Sequence, residues 1–152
     1  MERFKFINPG RLVDGDLHLK LVKKYPADPI KKYPPCYDFE MRKTGTSRKM
    51  GKIRLMIGSS RALPGHIGFY VNEKYRGRHY AARSCVLLYL LARAHGLNAL
   101  WIACDPTNTA SRKTCDLVGA RYMETVRIPK YHELYKRGGR YLCRYKINLR
   151  SL

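Results

Sequence analysis

The chain has 152 residues, with 31 Lys and Arg against 11 Asp and Glu, a formal charge of +20 and a sequence pI of about 10.1. Hydrophobic residues make up 45%, a globular share that excludes a disordered chain. The longest apolar run, Val86–Ala92, is seven residues, far short of the roughly 18 that a membrane-spanning helix needs.

The length fits one domain over residues 1–152. The first residues, Met1-Glu2-Arg3-Phe4-Lys5, hold no apolar stretch, so no signal peptide and a cytoplasmic location are expected. Leu17–Val22 alternates apolar and polar residues, the period of a half-buried strand. Tyr25–Pro35 carries four prolines among lysines and reads as loop. Alternation resumes at Tyr37–Arg42, and Thr44–Lys49 reads as a turn. Lys52–Ile57 and His66–Val71 are two more strand candidates, separated by a Gly, Ser and Pro loop at Gly58–Gly65. Four strands joined this way form an antiparallel meander.

Tyr80–His95 predicts a helix, apolar nearly all round and so largely buried, with Gly96 at its C-terminal stop. Ala99–Cys104 reads as a central strand buried on both faces. Asn108 is a good N-cap for a helix over 109–118 that Gly119 ends. Arg121–Ile128 is a strand candidate, Lys130–Lys136 a short helix, and Arg140–Leu149 the cleanest strand pattern in the chain. The order β-β-β-β-α-β-α-β-(α)-β points to a mixed-sheet α/β fold.

Five cysteines, at 36, 85, 104, 115 and 143, are odd in number and lack metal-ligand spacing. Buried thiols are expected, with neither a disulfide framework nor a metal site. The charge excess sits on the flanks: residues 1–64 hold 15 cations and 6 anions, and residues 126–152 hold 8 and 1. Such an excess favours an anionic partner: nucleic acid, a ribosome surface, an anionic cofactor or an acidic substrate. A solvated basic surface is the competing reading. Lysine-tyrosine segments at 23–25, 31–33 and 131–136 offer phosphate contacts with base stacking, or simply lysines lying over tyrosines.

The informative stretch is 65–120. A strand leads into Asn72-Glu73-Lys74-Tyr75-Arg76-Gly77-Arg78-His79-Tyr80-Ala81-Ala82, which opens a helix. Free N–H groups at a helix start bind phosphate, and small residues let it approach the backbone. Together with the buried strand and the helix running from Asn108 and Ser111 to Gly119, this stretch resembles the GNAT superfamily of acetyl-CoA-dependent N-acetyltransferases. The resemblance covers 65–128 well. It aligns the family's pyrophosphate loop on Arg76, Gly77, Arg78, His79, Tyr80 and Ala81, with Ala82 following, and the family's Asn-x-x-Ala/Ser segment on Asn108 and Ser111. His79 stands where the family carries its middle glycine. The resemblance implies a GNAT-like, mostly antiparallel sheet flanked by helices, with the family's two helices between the first two strands reduced or missing. It also implies acetyl-CoA as cosubstrate, no metal, and Phe69, Tyr70 and Val71 alongside the pantetheine arm.

Acetyl transfer needs a deprotonated amine and a proton for the leaving thiolate. The family's frequent acid is a Tyr seven residues after the Asn; here that position is Cys115. His66 is a base candidate or an edge histidine; Glu124 is a base candidate or the cross-strand partner of an arginine; Cys115 is an acid candidate or packing. Tyr122 and Tyr141 are further phenols. The expected function is acetyl transfer from acetyl-CoA to a primary amine of a small molecule or protein. The alternative is a basic nucleic-acid- or ribosome-binding module on the same scaffold, non-catalytic or RNA-directed. The missing helices leave the acceptor side open or completed by a second copy in a homodimer.

Overall fold

The computed structural model describes residues 4–58 and 65–150. The loop expected at Gly58–Gly65 and the leading Met1–Arg3 therefore lie largely outside the described residues. Eight strands form one sheet: β1 (Leu12–Asp14), β2 (Leu17–Tyr25), β3 (Cys36–Lys43), β4 (Lys49–Met56), β5 (Ile67–Val71), β6 (Ala99–Cys104), β7 (Arg121–Arg127) and β8 (Tyr141–Asn148). Four helices accompany them: α1 (Tyr80–Leu87), α2 (Tyr89–Ala94), α3 (Thr109–Leu117) and the single turn α4 (Glu133–Lys136). The sheet order is β1-β2-β3-β4-β5-β6-β8-β7. The expected meander is β2 to β5, antiparallel throughout.

Three expectations need correction. A short edge strand, β1, precedes the first expected one; Gly15, at φ +57°, turns the chain back so that Asp14 opposes Leu17. The helix expected over Tyr80–His95 breaks at Leu88, whose N–H returns to the Cys85 carbonyl. It is not buried all round either, because Val86 and Leu90 remain exposed. The helix expected at Lys130–Lys136 starts only at Glu133, where His132 caps the Leu134 N–H. The segment between β2 and β3 holds the Asp28–Tyr33 bridge and turns, with no helix among the described residues.

Strand alternation explains the core. Leu17 and Leu19, Tyr37, Phe39 and Met41, Ile53 and Leu55, Leu100 and Ile102, and Tyr145 and Ile147 turn one face of the sheet inward. Tyr80, Cys85, Leu88 and Ala92 meet them from the helices. Each large side chain so buried contributes roughly 1.5–3 kcal/mol. The other face carries Lys20, Asp38, Glu40, Arg42, Lys52 and Arg54, tied in part by the ion pairs Arg54–Asp38 (2.6 Å) and Arg42–Glu40 (2.7 Å).

β5 and β6 are the one parallel pair, and they share a single rung, Ile67 opposite Ile102. Beyond it the strands part. Gly51 helps to set the geometry on the β4 side: a Cβ there would overlap the Tyr70 carbonyl oxygen and press on the Val71 Cα. Gly51→Ala is therefore expected to cost about 1–3 kcal/mol in urea unfolding, because backbone rather than a mobile side chain must give way.

Candidate active site

Parallel strands that diverge leave a crevice at their carboxyl ends, and the elements that follow each strand start there. Here β5 leads to α1 and β6 leads to α3, so two helix N-termini open onto one groove of about 440 Å³. β5 lines it with Phe69, Tyr70 and Val71. The connecting loop adds Tyr75, Arg76, Gly77 and His79, and α1 adds Tyr80 and Ala81. From α3 come Asn108, Ser111, Lys113, Thr114 and Leu117. Of the expected loop residues only Arg78 and Ala82 lie off the lining: Arg78 is exposed, and Ala82 is buried in the first turn of α1.

The main-chain groups that face the groove follow from strand period. The Asn72 N–H bonds the Met50 carbonyl, so even-numbered residues of β5 face β4, and Phe69 and Val71 turn the other way. The Arg76 Nε donates to the Val71 carbonyl (2.9 Å), consistent with that phase.

His79 has φ 63° and ψ 22°, left-handed backbone that costs a non-glycine residue about 1–2 kcal/mol. The histidine thus adopts the conformation that the family's glycine would take freely. Its carbonyl accepts the first helical bond, from the Arg83 N–H (2.9 Å), and no side chain caps the start. The N–H groups of Tyr80, Ala81 and Ala82 therefore have no partner within the helix. Gly77, at φ +86° with nothing near its Cβ position, keeps the approach clear. The start of α1 is held in place from β1 and the turn after it: Arg83 pairs with Asp14 (2.8 Å) and Asp16 (2.9 Å), and the Tyr80 hydroxyl donates to Asp16. The Tyr80 and Arg83 bonds hold the Asp16 carboxyl below its usual range. At α3, Asn108 Oδ1 accepts the Ser111 N–H (3.0 Å), as an N-cap should.

The three candidate acid-base residues stand apart from this groove. His66 is 3% exposed. The Trp101 N–H donates to its Nδ1 (2.9 Å), which leaves the Nε2–H to donate to the Gly58 carbonyl (3.0 Å). Both nitrogens are committed, and burial lowers its pKa below 6.5. It clamps the start of β5 to β6. Cys115 is fully buried on the inward face of α3, where the bond with the Cys104 thiol, and then burial, push its pKa up. Glu124 lies on the outer sheet face, paired with Arg144 (2.9 Å) opposite it on β8. Tyr122 bonds Thr125 on the β7 edge (2.6 Å), and Tyr141 is half-exposed.

Sequence reasoning missed Tyr75, Ala110, Lys113, Thr114 and Leu117. The signal for the α3 residues was present: Ala110, Thr114 and Leu117 repeat at helical spacing on the face opposite Cys115.

The uncapped start of α1, with the Asn108-capped start of α3 beside it, gives the groove the chemistry of an anion site. Residues 15–121 match the family model described as acetyltransferase (GNAT) domain, and the chain belongs to that family of acyltransferases. No curated protein matches the chain. Among solved structures it is similar to a Vibrio cholerae protein provisionally named a ribosomal-protein-serine acetyltransferase, at 16% identity, TM-score 0.67, 93% of this chain and 99% of that one. It is similar to the microcin C7 self-immunity acetyltransferase MccE in complex with acetyl-CoA and AMP, at 12% identity and TM-score 0.59 over 74% of this chain. It is also similar to the ribosomal-protein-S5-alanine acetyltransferase of Vibrio fischeri, at 19% identity and TM-score 0.60 over 74% of this chain. The chain spans 61% of each of the last two proteins. These likenesses are of fold.

Two outcomes follow. His79→Gly is expected to raise unfolding stability by about 1 kcal/mol, read from denaturant midpoints, by relieving the left-handed strain. His66 and His95 both have pKa values lowered by burial, so folding favours their neutral forms. Their contribution is complete above the unfolded value of 6.5 and is lost as pH falls below it. The thermal midpoint is expected to drop on acidification, and His66→Gln to flatten that dependence.

Proposed function

We propose that this protein transfers the acetyl group of acetyl-CoA to the α-amine of a protein. The observation that carries the proposal is the parted β5–β6 pair, with both helix starts opening onto it and no Asp or Glu lining the groove. The residues present fit the cosubstrate. The N–H groups of Tyr80, Ala81 and Ala82 and the Arg76 guanidinium would hold the diphosphate, and Gly77 leaves room for it. The β5 edge at Phe69 and Val71 would pair with the amide-bearing arm and turn an N–H toward charge developing on the carbonyl oxygen. Bound acetyl-CoA would supply an activated acyl carbon: the amine nitrogen bonds to it, the C–S bond breaks, the amine loses one proton and the sulfur gains one.

The groove lining has no carboxylate; its one imidazole, His79, stands in the loop at the start of α1 where the diphosphate would sit, and the buried His66 has both nitrogens occupied, so the amine would arrive largely deprotonated. An α-amine, with a pKa of about 7.7–8.0, is roughly one-third neutral near pH 7.5; a lysine side chain, near 10.4, is neutral about once in a thousand. The protein α-amine is favoured on that ground. Two of the similar structures are named for ribosomal-protein substrates, which agrees with it.

Calorimetry with acetyl-CoA tests the cofactor half. Micromolar binding that persists at raised salt is expected in the native chain and at least a tenfold loss in Gly77→Glu; equal affinity in the variant would count heavily against the site. For the acceptor half, kcat/KM on a peptide α-amine should exceed that on a blocked peptide with one lysine by about 100-fold or more. Its pH profile should rise with one ionisation, that of the peptide, and His66→Gln should leave the profile unmoved. A second ionisation that disappears in His66→Gln would restore His66 as the base.

A further inference from the structure

Strand directions place five connections at the groove end of the sheet. They are residues 15–16, 44–48, 72–79, 105–108 and 128–140, because β2, β4 and β8 begin where β1, β3, β5, β6 and β7 end. These connections carry eight Lys and Arg against four Asp and Glu, and Lys43, Lys49 and Arg127 stand at the strand ends beside them. The cofactor phosphates would account for the cations before α1. They do not account for two other groups: Lys43 at the end of β3 with Arg48 on the β3–β4 turn, and Lys130 and Lys136 on the β7–β8 loop. All four are exposed, and none has an ion-pair partner among the described residues. In the sheet order these groups lie on opposite sides of the β5–β6 parting. Beside the β3–β4 turn lies a depression of about 520 Å³, lined by Arg11, His18, Arg42 and the hydroxyl residues Thr44, Thr46 and Ser47. Arg42 is bonded to Glu40, but no carboxylate belongs to the lining itself.

We propose that this two-sided cationic rim docks an acidic polypeptide whose N-terminal amine enters the β5–β6 parting. This rests on the acetyl-transfer reading of the groove. Strands are spaced about 4.8 Å apart, so the β3–β4 turn lies roughly 10 Å from the parting, and the β7–β8 loop is at a similar reach on the other side. An extended chain advances about 3.3 Å per residue. Carboxylates about three to six residues after the amine therefore reach the rim. A rim this wide exceeds a small-molecule acceptor. Nucleic acid would satisfy the charge, but it brings aromatic ring amines, which are poor nucleophiles for a groove without a carboxylate base.

The test uses three fluorescent peptides with the same first two residues and with Glu, Gln or Lys at positions three to six, plus a single-stranded RNA oligonucleotide. Binding is read by anisotropy in the presence of CoA, and turnover is read separately. The Glu peptide should bind at least tenfold tighter than the Gln peptide at low salt, and the gap should close at high salt. Arg48→Glu with Lys130→Glu should abolish that preference, move it toward the Lys peptide and leave Gln-peptide turnover unchanged. Equal binding of the Glu and Gln peptides, or tighter binding of RNA with no peptide preference, overturns the proposal. Absence of turnover on all three peptides would count against acetyl transfer to an α-amine, while the binding comparison would still decide the rim.

Discussion

The structure depends on one rung of a parallel pair. Ile67 opposes Ile102, and past that point β5 and β6 separate. The rung is held from its start. The Trp101 N–H and the Gly58 carbonyl occupy the two nitrogens of His66, and the Trp101 carbonyl accepts the His66 N–H (2.8 Å). Gly65 makes this approach possible, since a Cβ there would press on the Trp101 carbonyl. With the strands clamped at one end and free at the other, the helices after them aim their starts at a common crevice. A histidine that first reads as a catalytic base is thus a structural fastener for the cleft.

On one side the groove presents the uncapped start of α1, where the proposed diphosphate would sit. Asp14 and Asp16 fix the first turn of α1 through Arg83 and Tyr80, so the open N–H groups are held before any ligand arrives. No carboxylate lines the groove, and its one imidazole, His79, belongs to the loop at the start of α1. The proposed chemistry therefore divides: the protein positions and polarises, and the acceptor supplies an amine that is already a nucleophile. The cation-rich loops at the same end would complete this division by selecting the chain that carries the amine.

Much of this was legible in the sequence. The strands β2 to β5 follow from alternation, and the helix starts near His79 and Asn108 follow from loop composition and capping. Ten of the twelve expected cofactor residues line the groove. The sequence leaves each acid-base candidate with two readings, and the structure shows the packing reading of Cys115 and the cross-strand arginine of Glu124, 20 residues away. The role of His66 was not legible, because it is claimed by Trp101, 35 residues away. Cys115 sits at the spacing where the family carries a tyrosine, but the phase of α3 turns it inward against Cys104. β1 was missed because three residues are too few to show a period. The break at Leu88 was missed because an unbroken apolar run gives no sign of it.

Hydrogen exchange with and without acetyl-CoA tests the cleft most directly. Protection is expected at the amides of residues 77–82 and at Phe69 and Val71, with little change on β2, β3 and β7. Protection confined to other segments, or none at saturating acetyl-CoA, would contradict the placement of the cofactor in the β5–β6 parting.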